Sequence, residues 1–400
     1  MIELIGKYNS CKIYATTLDN NVISQIYGML NYEAFKGEKI RIMPDTHAGK
    51  GSVVGFTSTI TDKVIPMVVG VDIGCGVDVV KLDEKSIDFK KLDEVIYNYV
   101  PSGFDLRDRP HKFYKKTRLD KLKCKREVSL DIASLGIGSL GGGNHYIEID
   151  QDAKGHLYLV VHSGSRYLGG KVAQTYQDIA YRTMNFDYKM GIINRLKAEG
   201  KDQDIQNVLK SVKMTHIEKE LAYLYGENME NYLHDMDIVQ EYAVYNRKAI
   251  IDEIVRKMEL TVVDEFTTIH NYIDTKNRIL RKGSISAQNG EKVIIPINMR
   301  DGAIIGIGKG NADWNYSAPH GAGRLFSRSE ASQIITLEEF QQSMEGIYSS
   351  SVTETTIDES PMAYKSLEEI LEHVTETIDV VEVIKPVYNF KSHKKPVWTK

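Results

Sequence analysis

Long apolar stretches are missing from these 400 residues, and so is any marked excess of charge of one sign. No run reaches the ~18 uncharged apolar residues that read as a membrane-spanning helix. Met1 to Lys7 lack the apolar core of a secretion signal. A net charge of −4 provides no global field for a polyanion, so any nucleic-acid contact must come from a local patch. Cys11, Cys75 and Cys124 are odd in number and far apart, which argues against a disulfide framework and leads us to expect a reducing, cytoplasmic setting. No period of about 20–50 residues recurs, which excludes a solenoid. Hydrophobic residues at 42% and charged residues at 26% are ordinary for a soluble chain with a large core, and length alone suggests two or three domains.

What the chain does have is a series of glycine-rich turns carrying reactive side chains. The apolar run Val64, Ile65, Met67, Val68, Val69 reads as a buried strand, and it leads into Val71-Asp72-Ile73-Gly74-Cys75-Gly76. A carboxylate and a thiol leaving one tight turn suit a borderline metal such as Mn, Zn or Fe, although a turn aspartate beside a buried thiol gives the same pattern. Asp45-Thr46-His47 lies in a Pro/Gly-rich loop and can hold a metal, move a proton or satisfy turn amides. Gly136-Ile137-Gly138-Ser139-Leu140-Gly141 has the form of a dinucleotide fingerprint. That fingerprint must open a helix, whereas Tyr146-Ile147-Glu148-Ile149 alternates like a strand. Asn144 and His145 rim this loop, and the next strand delivers His162-Ser163-Gly164-Ser165-Arg166.

Further on, residues 170–260 show Lys, Glu, Tyr and Ile/Leu at helical spacing over 174–185, 193–213, 218–233 and 238–259. A shorter helix is expected over 21–30, and a helix and a strand over 367–376 and 380–387. The tyrosine-rich stripes of the helical region read as core. His270 follows, then short strands from 279 to 307. His320 stands between Pro319 and Gly321-Ala322-Gly323, with Arg324 near by. Such a histidine can attack phosphorus while the arginine neutralises developing charge, or it is a turn histidine. Ten Lys/Arg against two Asp between Arg107 and Arg126 make either a solvated surface segment or a contact for nucleic-acid phosphates.

In order along nearly the whole chain, these motifs resemble the RtcB-type RNA ligases. They are Met43-Pro44-Asp45-Thr46-His47, Val71 to Gly76, Gly141-Gly142-Gly143-Asn144-His145-Tyr146-Ile147-Glu148, His162 to Arg166, His270-Asn271, His320 to Arg324 and Asp358-Glu359-Ser360-Pro361-Met362-Ala363-Tyr364-Lys365. The resemblance implies an α+β fold in one large domain over 1–400, with a β-rich core, outer helices and the helical region at about 170–260. It implies a GTP- and Mn2+-dependent ligase joining RNA 2′,3′-cyclic phosphate or 3′-phosphate ends to 5′-hydroxyl ends, with an archease-like activator as partner. Carried over by position, Asp72, Cys75, His145, His162 and His270 bind two Mn2+ ions. His320 takes GMP from GTP and passes it to the RNA 3′-phosphate. The nucleotide is held by Asn144, His145, Tyr146, Ile147, Glu148, His270, Asn271, Pro296, Ile297, Asn298, Met299, Ala303, His320, Gly321, Ala322, Gly323 and Lys391. Arg166 and the run 107–126 turn toward RNA phosphate.

The chain departs from the family at Pro296-Ile297-Asn298-Met299, where Pro-Gly-Ser-Met is usual, at Ala303 in a stretch that usually adds a serine, and at Ala318-Pro319 before the histidine. These changes bear on nucleotide preference. Two other readings stand beside the ligase: a metal-dependent phosphodiesterase that opens cyclic ends without sealing, and an RNA-binding metalloprotein without turnover.

Overall fold

The run Val77-Asp78-Val79-Val80-Lys81-Leu82 is buried at every position but Lys81 and forms the strand Gly76–Leu82 of a seven-stranded sheet. In the computed structural model, which describes residues 1–16, 18–211 and 218–392, the sheet is antiparallel throughout. Its order is Val262–Ile269, Gly76–Leu82, Leu157–Ser163, Tyr146–Gln151, Ile378–Phe390, Gly302–Gly308, Lys292–Asn298. Register decides what meets at its end. Gly76 lies opposite Ser163 and Ile269, and His162 lies opposite both Val77 and Tyr146. Cys75, His145, His162 and His270 therefore cluster at one end of neighbouring strands, and the His270 N–H donates to the Cys75 carbonyl at 2.9 Å.

A second sheet has six strands, in the order Ile2–Ile5, Ser10–Ile13, Ile40–His47, Val54–Thr59, Ile279–Lys282, Asn271–Asp274. Asp45 belongs to its third strand. The ribbon of Ser284–Ser286 with Ser317–Pro319 carries the chain straight into His320. The architecture is the expected α+β fold, with helices outside a β-rich core.

The helical region is two 33-residue helices, Arg166–Ala198 and Gly226–Met258, with a short helix Ile205–Ser211 between them. Segments expected apart are thus joined, and the last two residues of the 193–213 segment lie outside the described residues. The polar break His234-Asp235-Met236-Asp237 stays helical because Asp235 is fully buried and accepts hydrogen bonds from the Lys123 and Cys124 amides and the Tyr176 hydroxyl. The first part of the 218–233 segment is instead a 3-10 turn, Lys219–Leu221, and a short strand, Leu224–Tyr225. Tyr232 and Tyr242 are core, as their spacing suggested.

The run 64–69 departs from its reading as a strand. Only Lys63–Val64 is extended, and Pro66–Val69 forms one helical turn. Pro66 brings no N–H to a ladder and a φ suited to the first helical position, so the buried run coils at that point. The helix Asn20–Leu30, the helix Leu367–Val374 and the strand Ile378–Phe390 lie close to their expected places. Among the described residues no helix is long and apolar enough to cross a membrane.

The longer helices also anchor the sheet end. Arg247 is fully buried, with Nε 2.6 Å from Asp78 Oδ1 and Nη1 donating to the carbonyls of Gly74 and Ser163. Removing one partner of such a pair leaves an uncompensated buried charge. Arg247→Leu should therefore cost about 3–5 kcal/mol in urea unfolding, whereas Lys248→Ala, at an exposed ion pair with Glu265, should stay within about 0.5 kcal/mol.

Candidate active site

The turn before Gly76–Leu82 is shaped by what its glycines must avoid. Gly74 has φ +74°, and a Cβ there would lie 2.9 Å from Ala243 Cβ and 3.0 Å from Gln240 Cα on the second long helix. A Cβ on Gly164 would lie 2.0 Å from Asp72 Oδ1. The two turns thus close on each other and bring their side chains together. Cys75 Sγ is 3.4 Å from His145 Nε2 and 3.3 Å from His162 Nε2. His162 Nε2 is 3.2 Å from His270 Nε2, and His145 Nε2 is 3.0 Å from Asp72 Oδ2. All five residues placed in a metal set by resemblance form this one chain of contacts.

The protonation states suit a metal. His145 Nδ1 lies 2.8 Å from the Leu140 carbonyl and His162 Nδ1 lies 3.1 Å from the Asn144 carbonyl. Nδ1–H donation to a carbonyl turns each Nε2 toward the cluster; that of His145 donates to Asp72, and a cation would take the place of its proton. Burial, helped by neighbouring histidines, lowers the basicity of His162 and His270 far below the ordinary range and keeps both rings neutral. Burial, and then Asp72, pushes the Cys75 thiol well up. Burial would raise Asp72 too, but the His145 hydrogen bond and charge together with Arg166 bring it down to about 2. His270 Nδ1 has no hydrogen-bond partner among the described residues. One sulfur, three imidazoles and a carboxylate fit a borderline transition ion.

His320 adjoins this cluster, its ring centroid 4.9 Å from that of His270. Its Nδ1 is 2.7 Å from Asp45 Oδ2, and its backbone N–H donates to the same oxygen at 3.2 Å. Asp45 is fully buried. His47 turns back on the Asp45 carbonyl through Nδ1 at 3.0 Å, and burial depresses its pKa to about 4. Asp45 and His47 therefore stand with His320, outside the metal cluster.

Around these groups opens a cavity of about 610 Å³, within the range of small-ligand sites. Asn144, Tyr146, Glu148, His270, 296–299, 320–323 and Lys391 line it. Four residues carried over as nucleotide contacts do not, and the first of them, His145, stands in the metal-suited cluster instead. Strand alternation turns Ile147 into the apolar core behind the sheet. Ala303 is buried in the core on the cavity side. Asn271 spends its side-chain oxygen on the Gly283 amide at 3.0 Å. Asn298 reaches the cavity while its side chain caps the turn at Arg300 and Asp301. Glu359 gathers cations at one wall: Lys391 at 2.9 Å, Arg324 at 3.6 Å and Arg328 in direct contact. Burial would raise its pKa, but these three hold it far below the usual range. Burial raises Glu148 to about 7 against the opposing Lys391.

Sequence reasoning did not single out Arg328, Asn246 or Arg247. Asn246 takes the Gly138 and Ser139 amides on its oxygen and donates to Ser163 Oγ and the Gly164 carbonyl. The only signal was an Asn-Arg pair inside an otherwise amphipathic helix.

The tRNA-splicing ligase RtcB family model matches residues 30–129 and 123–392. The chain is 27% identical to the RNA-splicing ligase RtcB of Escherichia coli K12, covering 87% of this chain and 88% of the relative. It is 26% identical to the tRNA-splicing ligases RtcB of Aeropyrum pernix, covering 82% of each chain, and of Pyrobaculum aerophilum, covering 83% and 82%.

Loading with Co2+ should give a near-ultraviolet sulfur-to-metal charge-transfer band that Cys75→Ser lacks, with circular dichroism unchanged. Because the thiol is protonated before loading, binding should release a proton and apparent affinity should rise with pH. A band that survives Cys75→Ser would place the sulfur ligand elsewhere.

Proposed function

The chain belongs to the RtcB ligase family, and from that premise we propose that it seals RNA, joining a 3′-phosphate to a 5′-hydroxyl with GTP and two Mn2+ ions. A 2′,3′-cyclic end is first hydrolysed to the 3′-phosphate. The observation that carries the reading is His320, held by a buried aspartate at the cavity wall beside the metal-suited cluster.

With Nδ1–H donated to Asp45, His320 presents a neutral Nε2 lone pair to the cavity. Nε2 bonds to the α-phosphorus of GTP, and the bond from that phosphorus to the pyrophosphate oxygen breaks. The ring becomes positively charged, and the Asp45 carboxylate 2.7 Å from Nδ1 stabilises it. Lys391, Arg324 and Arg328 can turn from Glu359 toward phosphate oxygens. Asp72, Cys75, His145, His162 and His270 would hold the ions, whose chemistry is to polarise phosphoryl oxygens and offset their charge. The GMP passes from His320 to an oxygen of the RNA 3′-phosphate, and the RNA 5′-hydroxyl then displaces it, leaving a phosphodiester.

Incubation with Mn2+ and each of the four nucleoside triphosphates should give a GMP adduct by intact mass, absent in His320→Ala. Asp45→Asn should slow adduct formation by roughly 10²–10⁴-fold. A wild-type chain that binds metal, opens cyclic ends and forms no adduct would sink the ligase reading in favour of a phosphodiesterase.

Glu148 adds a pH signature. Above its pKa of about 7 the carboxylate accepts two hydrogen bonds, as from the N1–H and 2-amino group of guanine; below it, one oxygen carries the proton. GTP affinity should therefore rise between about pH 6 and about pH 8 by titration calorimetry, and Glu148→Gln should flatten the rise.

A further inference from the structure

The metal-suited cluster has two faces. His162, His270 and Asn144 look into the nucleotide-sized cavity, but Asp72 does not line it. The Asp72 side chain is 32% exposed, so the cluster is also open to solvent at Asp72, apart from the cavity. Two walls of that opening are tied together. The Gly103 amide donates to the Gly141 carbonyl at 2.8 Å, and the Leu140 amide to the Pro101 carbonyl at 2.8 Å. Arg166 Nη2 donates to the Gly103 carbonyl at 2.6 Å, and Arg166 carries charge toward Asp72. From this wall the chain runs directly into the cationic stretch 107–126.

That stretch is a built surface. Leu119, Leu122 and Cys124 are buried. Arg107, Lys112 and Arg118 pair with Glu253, Asp252 and Glu241 along the second long helix, and Asp235 takes the Lys123 and Cys124 amides. The order of these helix partners, from 253 down to 235, lays the stretch lengthwise along the helix. With the acids of the helix occupied, Arg109, Lys115, Lys121, Lys123 and Arg126 are exposed and form no ion pair among the described residues. On a chain of net charge −4, this is a local positive track that the chain enters a few residues after Gly103, which Arg166 holds beside Asp72.

Resting on the proposed ligase activity, we infer that single-stranded RNA reaches the reacting centre through the Asp72 face, its sugar–phosphate backbone laid along the track 109–126. The nucleotide thus occupies the cavity on one side of the cluster while the RNA end arrives from the other. The track touches phosphate alone, so it holds RNA of any sequence.

The test is the combined variant Lys115→Glu, Lys121→Glu, Arg126→Glu, all exposed positions. A short labelled single-stranded RNA ending in a 3′-phosphate is titrated at several salt concentrations. The slope of log affinity against log salt should fall by about 2, at roughly 0.7 for each phosphate that the protein ceases to neutralise, and affinity should drop about 100-fold at ~0.1 M salt. The rate of GMP adduct formation and the melting temperature should match wild type. An unchanged affinity, or a weakening equal at every salt concentration, overturns the track. If wild type forms no adduct yet binds RNA with the full slope, the ligase reading falls and the track stands.

Discussion

The antiparallel register between Gly76–Leu82 and Leu157–Ser163 fixes where Cys75 and His162 meet, and apolar packing on both faces of the sheet fixes that register. Val77, Val79, Tyr146, Tyr158 and Val160 pack with Ile294, Ile305 and Ile384 on one face. Val80, Leu82, Ile147, Ile149, Leu159 and Val161 pack on the other with Ile96, Ile250 and Ile254. A slip of one residue would exchange these faces and carry His162 away from the thiol. The placement of the clustered side chains follows from the core, because each stands within a few residues of a strand end that the core has already placed.

Strand ends solve the placement of ligands but leave irregular loops with backbone groups to satisfy. The second long helix answers most of that need with two side chains. Asn246 serves the loop at 138–139 and the turn at 163–164, and Arg247 serves the carbonyls of Gly74 and Ser163. A net gain of about 1 kcal/mol per hydrogen bond is modest, but a buried group left unpaired costs about 1–3 kcal/mol. The helix therefore contributes chiefly by preventing penalties, and it locks both ligand-bearing turns to one rigid rod.

Residue type and local pattern made the ligand-bearing turns readable in the sequence, since glycine beside Asp, Cys or His at a strand end is a local signal. Three kinds of feature were not local. The run 64–69 coils because Pro66 outweighs its hydrophobicity. The break at 234–237 stays helical because Asp235 finds partners more than a hundred residues away in sequence. Ile147 and Ala303 sit in matched motifs, yet strand direction and packing turn them into core. The basic run was legible as charge, but which of its cations remain free depends on the acids of a helix far along the chain. Periodicity finds elements; it does not find what an element is paired with.

Burial gives the ligand cluster one more property. The low dielectric that depresses the basicity of His162 and His270 also raises the Cys75 thiol, so both changes remove charge from the sheet end. Without an ion, the negative charge on Asp72 is offset first by His145 and then by Arg166, and the fold carries little electrostatic penalty there. A divalent ion would take the thiol proton's place and restore the charge that burial had suppressed. The same groups are thereby tolerable in an apolar setting without metal and would be strong ligands with it. His320 lies just outside this arrangement, with its own buried carboxylate at Nδ1, so its ring is oriented by Asp45 and not by the clustered side chains.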